Sequence, residues 1–344
     1  MKYPRLWFFL VLLTAVFSAP LSQAVEKKSK ASYFRYAPEV RLYVYQVEPK
    51  EGPIQANVLF LHGYGDCSEN HPELFDAWVE KGYRVISFDY PGHGKSQGMY
   101  NYLNYFNFHD LAKMAVGAVN FVEKDEERPL ILAGWSTGGL LALRLAQLDS
   151  MKHFKTTPSA LVLLDPAISP KLIVGNRIGR ITRETLTSNP EGLKACPVNP
   201  QFPLLHARFS SSLLWNSTVP KNLVNDVSNF FGWDFKWQDQ QLSPDFPTLI
   251  VMADPKYDRY VNFEPAKDWA FKQVLRNFAD ITMYQCHDAF HAVDVEPRGI
   301  GTVVRRMAAD FPTSVLNREW DHEKVNWKIN DDKSVCDLVL KGSR

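Results

Sequence analysis

Seven short apolar, β-branched runs punctuate the chain, at Arg41 to Val47, Ala56 to Leu61, Tyr83 to Phe88, Leu130 to Ala133, Ala160 to Leu164, Thr248 to Met252 and Ile281 to Tyr284. From Ala56 onward they are nearly continuous in apolar character, as in parallel strands covered on both faces. Helical patterns fall between them, at Phe108 to Glu123, Gly138 to Leu148, Phe263 to Phe278 and Gly301 to Asp310. Strand and helix therefore alternate, which predicts an α/β fold with a doubly wound, mostly parallel sheet. The alternation is lost between Pro166 and Pro247, where helix-like runs mix with proline, serine and tryptophan. This stretch is expected to be an inserted cap domain, residues 166–247, dividing a core of residues 25–165 and 248–311.

The two ends follow other patterns. Lys2 and Arg5 precede an apolar run from Leu6 to Phe17, and Ser22-Gln23-Ala24 follows Pro20. The run is shorter than the roughly 20 residues that span a bilayer, so residues 1–24 read as a signal peptide cleaved before Val25. An exported protein, periplasmic or secreted, is expected. Residues 25–33 are polar and lysine-rich, suggesting a flexible start with the fold beginning near Tyr33. Residues 312–344 form a polar tail to which no element is assigned.

Composition then narrows the chemistry. Of 344 residues 45% are hydrophobic, enough for a full core without metal or disulfide support. Lys+Arg at 39 against Asp+Glu at 38 gives a net charge of +1, and loss of Lys2 and Arg5 with the leader makes it −1. Neither value is the footprint of a nucleic-acid binder. Cys67, Cys196, Cys286 and Cys336 lie too far apart for a zinc motif, so no metal is expected. One or two disulfides or buried free thiols are both compatible with them, and four cysteines allow three complete pairings.

The strongest local signal is Gly134-Trp135-Ser136-Thr137-Gly138-Gly139, directly between the run Leu130 to Ala133 and the helical pattern from Gly138. Strand, tight turn and helix are the setting of the G-x-S-x-G nucleophile elbow, which projects a serine hydroxyl above the sheet. That hydroxyl needs a base, and the base a carboxylate, following in the order Ser, Asp, His. After Thr248 to Met252 come two carboxylates, Asp254 and Asp258. After Ile281 to Tyr284 come two imidazoles, His287 and His291. An oxyanion formed by attack needs fixed donors, one of them the backbone N–H of Thr137 and a second from the loop after Leu61.

From about residue 56 to 311 the chain resembles the monoacylglycerol lipase and lysophospholipase group of the α/β-hydrolases, which shades into the serine aminopeptidase-like branch. The segments that carry the resemblance are Leu61-His62-Gly63-Tyr64-Gly65, Asp89-Tyr90-Pro91-Gly92-His93-Gly94-Lys95-Ser96, the elbow, and His291 through Pro297. The resemblance implies Ser136 as nucleophile, Asp258 as acid, before an Asp-x-x-Val-like turn, and His291 as base. It also implies Tyr64 as the second oxyanion donor. His62, Asp89 and His93 are expected to be structural, and His71, His109, His153 and His206 to carry no chemistry. Pro255 and Lys256 depart from the Gly-rich turn usual before the acid.

The implied activity is hydrolysis of carboxylic esters through an acyl-enzyme, with a monoacylglycerol or lysophospholipid as the small-molecule substrate and no cofactor. The cap carries Leu213-Leu214-Trp215 and an aromatic run from Phe230 to Trp237, suited to an acyl pocket, to a lipid surface or to the cap's own core. Three rivals use the same fold. An aminopeptidase-like enzyme would want cap carboxylates among Glu184, Glu191, Asp226, Asp234 and Asp239, an acyltransferase would use an acceptor other than water, and a binding protein would have lost catalysis.

Overall fold

The computed structural model describes residues 26–96, 108–123, 127–147, 153–171, 183–193, 196, 242–244, 246–297, 299–319 and 335–341. Its strands are β1 (Lys27–Ala37), β2 (Val40–Pro49), β3 (Ala56–Leu61), β4 (Tyr83–Phe88), β5 (Leu130–Trp135), β6 (Pro158–Leu164), β7 (Thr248–Met252), β8 (Ile281–Cys286) and β9 (Cys336–Leu340). Helices α1 (Pro72–Glu80), α2 (Phe108–Val122), α3 (Thr137–Gln147), α4 (Arg183–Leu186), α5 (Phe263–Asn277) and α6 (Ile300–Leu316) accompany them.

Successive side chains of a strand face opposite ways, and both faces of the central strands are apolar. Leu59 and Leu61 of β3 join one core with residues of α2, α3 and α5. Val58 and Phe60 join a second core with residues of α1 and α6. The sheet is thus buried on both sides, which is why its inner strands read as unbroken apolar runs. The strand order is β1-β2-β4-β3-β5-β6-β7-β8-β9. Pairing is parallel from β4 through β8 and antiparallel at β1/β2, β2/β4 and β8/β9.

All seven apolar runs are strands, and the structure adds one at each edge. The segment expected to be a flexible start is β1 from Lys27, paired with β2 from Lys27 opposite Pro49 to Ala37 opposite Val40. Its first five residues are exposed. Lysines suit such an edge because charge discourages pairing with another chain. The polar tail is also partly structural: α6 continues to Leu316, and Cys336–Leu340 forms β9 against β8. The leader lies outside the described residues. So does most of the expected cap, of which residues 166–171, 183–193, 196, 242–244 and 246–247 are described. Among the described residues no helix is long and apolar enough to cross a membrane.

The four cysteines form two disulfides, Cys67–Cys196 and Cys286–Cys336. The second joins residues directly opposite in the β8/β9 ladder and closes a sequence separation of 50. By loop-closure entropy such a bridge contributes about 2–4 kcal/mol. In Cys286→Ala/Cys336→Ala, hydrogen exchange should show residues 336–340 losing protection while β5, β6 and β7 keep theirs, with a melting temperature a few degrees lower. Unchanged protection at β9 would contradict the role given to the bridge.

Candidate active site

The site is assembled where the parallel strands end. Trp135 of β5 lies opposite Leu164 of β6, so the residues that follow, Ser136 and Asp165, leave the sheet side by side. Leu164 lies opposite Val251 of β7, and Met252 opposite Gln285 of β8, so the loops after β7 and β8 emerge at the same edge. Ligand sites of open α/β sheets form at this edge.

Ser136 has φ 54°, in the left-handed region that a non-glycine residue occupies only at a cost. The turn is held by its backbone: Ser136 N–H donates to Leu164 O at 3.0 Å, and Ser136 O accepts N–H groups from Leu140 and Ala167, each at 3.0 Å. The flanking glycines are required by space. A Cβ on Gly134 would lie 2.3 Å from Gly138 O, and one on Gly138 would lie 2.0 Å from Leu61 O. Because Gly138 meets the end of β3, the loop carrying Tyr64 runs beside the start of α3, which Thr137 opens.

His291 arrives from the loop after β8. Its Nε2 lies 2.8 Å from Ser136 Oγ, and its Nδ1 lies 2.6 Å from Asp165 Oδ2 and 3.3 Å from Asp258 Oδ1. Carboxylates only accept, so Nδ1 carries a hydrogen in either charge state, and in the neutral imidazole Nε2 is free to accept the Ser136 hydroxyl proton. Trp135 Nε1–H donates to His291 O at 2.9 Å, and the Tyr260 ring lies against the imidazole with centroids 5.0 Å apart. Asp258 accepts N–H groups from Tyr260 at 2.8 Å and Val261 at 3.0 Å. This turn gives the Asp-x-x-Val spacing its physical meaning, since Val261 supplies one of the donors.

Asp165 is the residue that sequence reasoning passed over. Its position, an acid at the carboxyl end of an apolar strand, was a usable signal, but Pro166 beside it read as the start of the cap. The three groups titrate against one another. Burial and then the Asp258 charge push the Asp165 carboxyl above its ordinary value, against the pull of His291. Burial also works against ionised Asp258, but the His291 charge and hydrogen bond, with the Tyr260 N–H, hold it below its ordinary value. Burial alone would lower His291, but the charges of Asp258 and Asp165 outweigh it and raise the imidazole to about 10.

The other acids and imidazoles occupy distinct places. Asp254 accepts N–H groups from Lys256 and Asp288, each at 2.9 Å, and shapes the loop. His287 is exposed and meets Asp337 at 2.7 Å. His62 donates from Nδ1 to Gly63 O at 2.8 Å and accepts Tyr90 N–H on Nε2 at 3.3 Å, with burial driving it to about 3 and so neutral. His93 accepts the Gly65 N–H at 3.1 Å, steadying the Tyr64 loop. Asp89 accepts from Ser68 N–H and Oγ–H at 2.7 Å and from Lys95 N–H at 2.6 Å. His71, given no chemistry by sequence, is buried between Asp66 and Asp294, each at 2.7 Å. Burial would lower it, but those two charges raise it to about 10. The side chain of His109, all of His206, and the aromatics Trp215 and Phe230 to Trp237 of the expected cap lie outside the described residues.

Two groups among the described residues bring three potential metal ligands within 4.8 Å of one another, Asp165 with Asp258 and His291, and Asp66 with Cys67 and Cys196. In the first the imidazole hydrogen occupies the carboxylates, and in the second both sulfurs are in a disulfide. Neither is a free ligand set.

Comparison with known proteins fits this geometry. Residues 52–212 match the family described as serine aminopeptidase, S33. An uncharacterized abhydrolase domain-containing protein of Dictyostelium discoideum is 29% identical over 298 residues, covering 83% of this chain and 28% of that protein. Caffeoylshikimate esterase of Arabidopsis thaliana is 30% identical over 123 residues, covering 34% of this chain and 35% of the esterase. The chain thus spans about a third or less of the length of these curated relatives. Among solved structures, a monoacylglycerol lipase of Paleococcus ferrophilus superposes with a TM-score of 0.58 at 18% identity, covering 80% of this chain and 99% of the lipase. The protein has the α/β-hydrolase fold and over residues 52–212 is similar to the serine aminopeptidase S33 family.

Proposed function

We propose that the protein is a serine hydrolase of carboxylic esters that works through an acyl-enzyme. The observation that carries this reading is the 2.8 Å approach of Ser136 Oγ to an imidazole whose far nitrogen is held by buried carboxylates. In the proposed reaction Ser136 Oγ attacks the ester carbonyl carbon while His291 Nε2 takes the hydroxyl proton. The Tyr64 and Thr137 N–H groups receive the oxyanion, a stabilisation worth about 3–4 kcal/mol per donor. His291 then returns the proton to the departing alkoxide, and water repeats the sequence on the acyl-enzyme.

For substrate we favour a single-chain acyl ester, a monoacylglycerol or lysophospholipid. The support is the likeness in fold to a monoacylglycerol lipase and the aromatic density between Trp215 and Trp237. Such a cap would hold the acyl chain and rest against a lipid surface. The S33 match favours a second reading, an aminoacyl amide cleaved by the same groups. Of the five cap carboxylates that could bind its amine, Glu184 and Glu191 are described, and both are exposed. We also propose export, on the leader pattern together with two disulfides, which persist in oxidising compartments.

Three measurements test these readings. Each buried CH₂ contributes about 0.8 kcal/mol, so kcat/KM should rise at least about tenfold from acetyl to octanoyl glycerol ester. His291→Ala should lower it by about 10⁴ and His287→Ala by less than about threefold. An aminoacyl amide as the best substrate would overturn the ester reading, and an active His291→Ala would overturn the site. Sequencing the N-terminus of protein recovered outside the cytoplasm should find Val25, whereas Met1 on protein confined to the cytoplasm would refute export.

A further inference from the structure

A single carboxylate suffices to orient the imidazole of a serine hydrolase. Here two converge on one N–H. Asp165 and Asp258 come from different strand ends, and with His291 they are almost wholly buried, at 0%, 4% and 2% exposure. Asp165 is fixed by its backbone and its carboxylate: its N–H donates to Val251 O at 2.7 Å, and its Oδ1 accepts the Ala253 N–H at 3.2 Å. Its φ of 40° lies in the left-handed region, a strained conformation for a non-glycine residue, and its carboxylate meets His291.

We propose that Asp165 is a second acid of this site, a positioning residue that shares the His291 Nδ1–H with Asp258 and is its closer acceptor, at 2.6 Å against 3.3 Å. The proposal rests on reading Ser136 and His291 as nucleophile and base. Its consequence is electrostatic. With a neutral imidazole, two carboxylates face each other in a dry site, and a proton on His291 relieves that repulsion. The resting site therefore holds its proton to higher pH than a site with one acid. When the Ser136 O–H bond breaks and the proton moves to Nε2, the imidazolium formed lies between two negative groups, which stabilises it. The proton later leaves on the alkoxide, so the cycle balances without another donor.

Other groups near His291 leave this pairing in charge. The loop after β7 adds the Tyr260 ring, and Lys171, from the segment after β6, donates from Nζ to the backbone oxygen of Asp258. Ser136 faces Nε2. Behind Trp135 lies the His71 cluster with Asp66 and Asp294, whose imidazole is already held between its own two carboxylates.

The test compares wild type, Asp165→Asn, Asp258→Asn and the double variant, with asparagine chosen because it tolerates the left-handed backbone of residue 165. The acid limb of the pH profile of kcat/KM for a soluble butyrate ester should lie above the ordinary histidine range in wild type. In Asp165→Asn it should fall by about one pH unit or more, the scale of one nearby charge. Plateau kcat should stay within about tenfold, since Asp258 still holds the tautomer, while the double variant should lose about 10⁴. An unmoved limb with a uniform loss of rate would make Asp165 merely structural and overturn the proposal, as would an Asp258→Asn variant as inactive as the double one. NMR titration of ¹³C-labelled His291 reads the same shift without any substrate. If no ester is cleaved, the proposed function fails while the titration still judges the acid pair. If a variant does not fold, an ordinary midpoint of about 6.5 for wild-type His291 is enough to overturn it.

Discussion

The hydrogen bond between Ser136 and His291 joins residues 155 positions apart, and it depends on the parallel register of β5, β6, β7 and β8. Each inner strand stops at nearly the same level, so the residues just beyond them meet without long excursions. The register is in turn maintained by apolar side chains on both faces, since a slip of one residue would send each to the opposite face. Core packing and site geometry are here one constraint. The glycines of the elbow show how little slack remains, because a methyl group at Gly134 or Gly138 would collide with backbone oxygen.

Burial gives the site its electrostatic character. Charges removed from water are tolerated only when paired and hydrogen-bonded, and each buried acid here has such partners. Asp258 has two backbone donors and the imidazole, while Asp165 has one donor and the imidazole. Beneath the Tyr64 loop, Asp66, His71 and Asp294 tie residues far apart in sequence into a second buried network. Asp294 lies three residues after His291, so this network also anchors the loop that carries His291. Glu296 does the same from the other side, accepting Ser188 N–H at 3.0 Å, while Ala292 N–H donates to Leu186 O at 2.7 Å. His291 is therefore held from the sheet, the Tyr64 loop and the segment around α4.

Much of this was legible in the chain because the inner strands must be apolar on both faces and the elbow must be glycine-rich. The edges obeyed different physics. β1 reads as a flexible tail because an edge strand is protected by the lysines that make it look unstructured, and β9 is a short strand fastened by Cys286–Cys336 within polar sequence. Disulfide pairing could not be read from spacing, as it depends on which loops the fold brings together. Asp258 and His291 were distinguished from Asp254 and His287 by family resemblance, and the structure brings the chosen pair to Ser136 while placing the others in loop and surface contacts. Asp165 escaped because a pattern with one acid leaves no reason to look for a second.

The register-built contact between Ser136 and His291 is expected to make Ser136 a nucleophile. Treatment of the protein with a fluorophosphonate, followed by mapping of the adduct by mass spectrometry, tests this, because the probe reports nucleophilicity whatever the natural substrate. One adduct is expected, on Ser136, absent from Ser136→Ala and strongly slowed in His291→Ala. An unlabelled wild-type protein, or labelling that persists in Ser136→Ala, would contradict it.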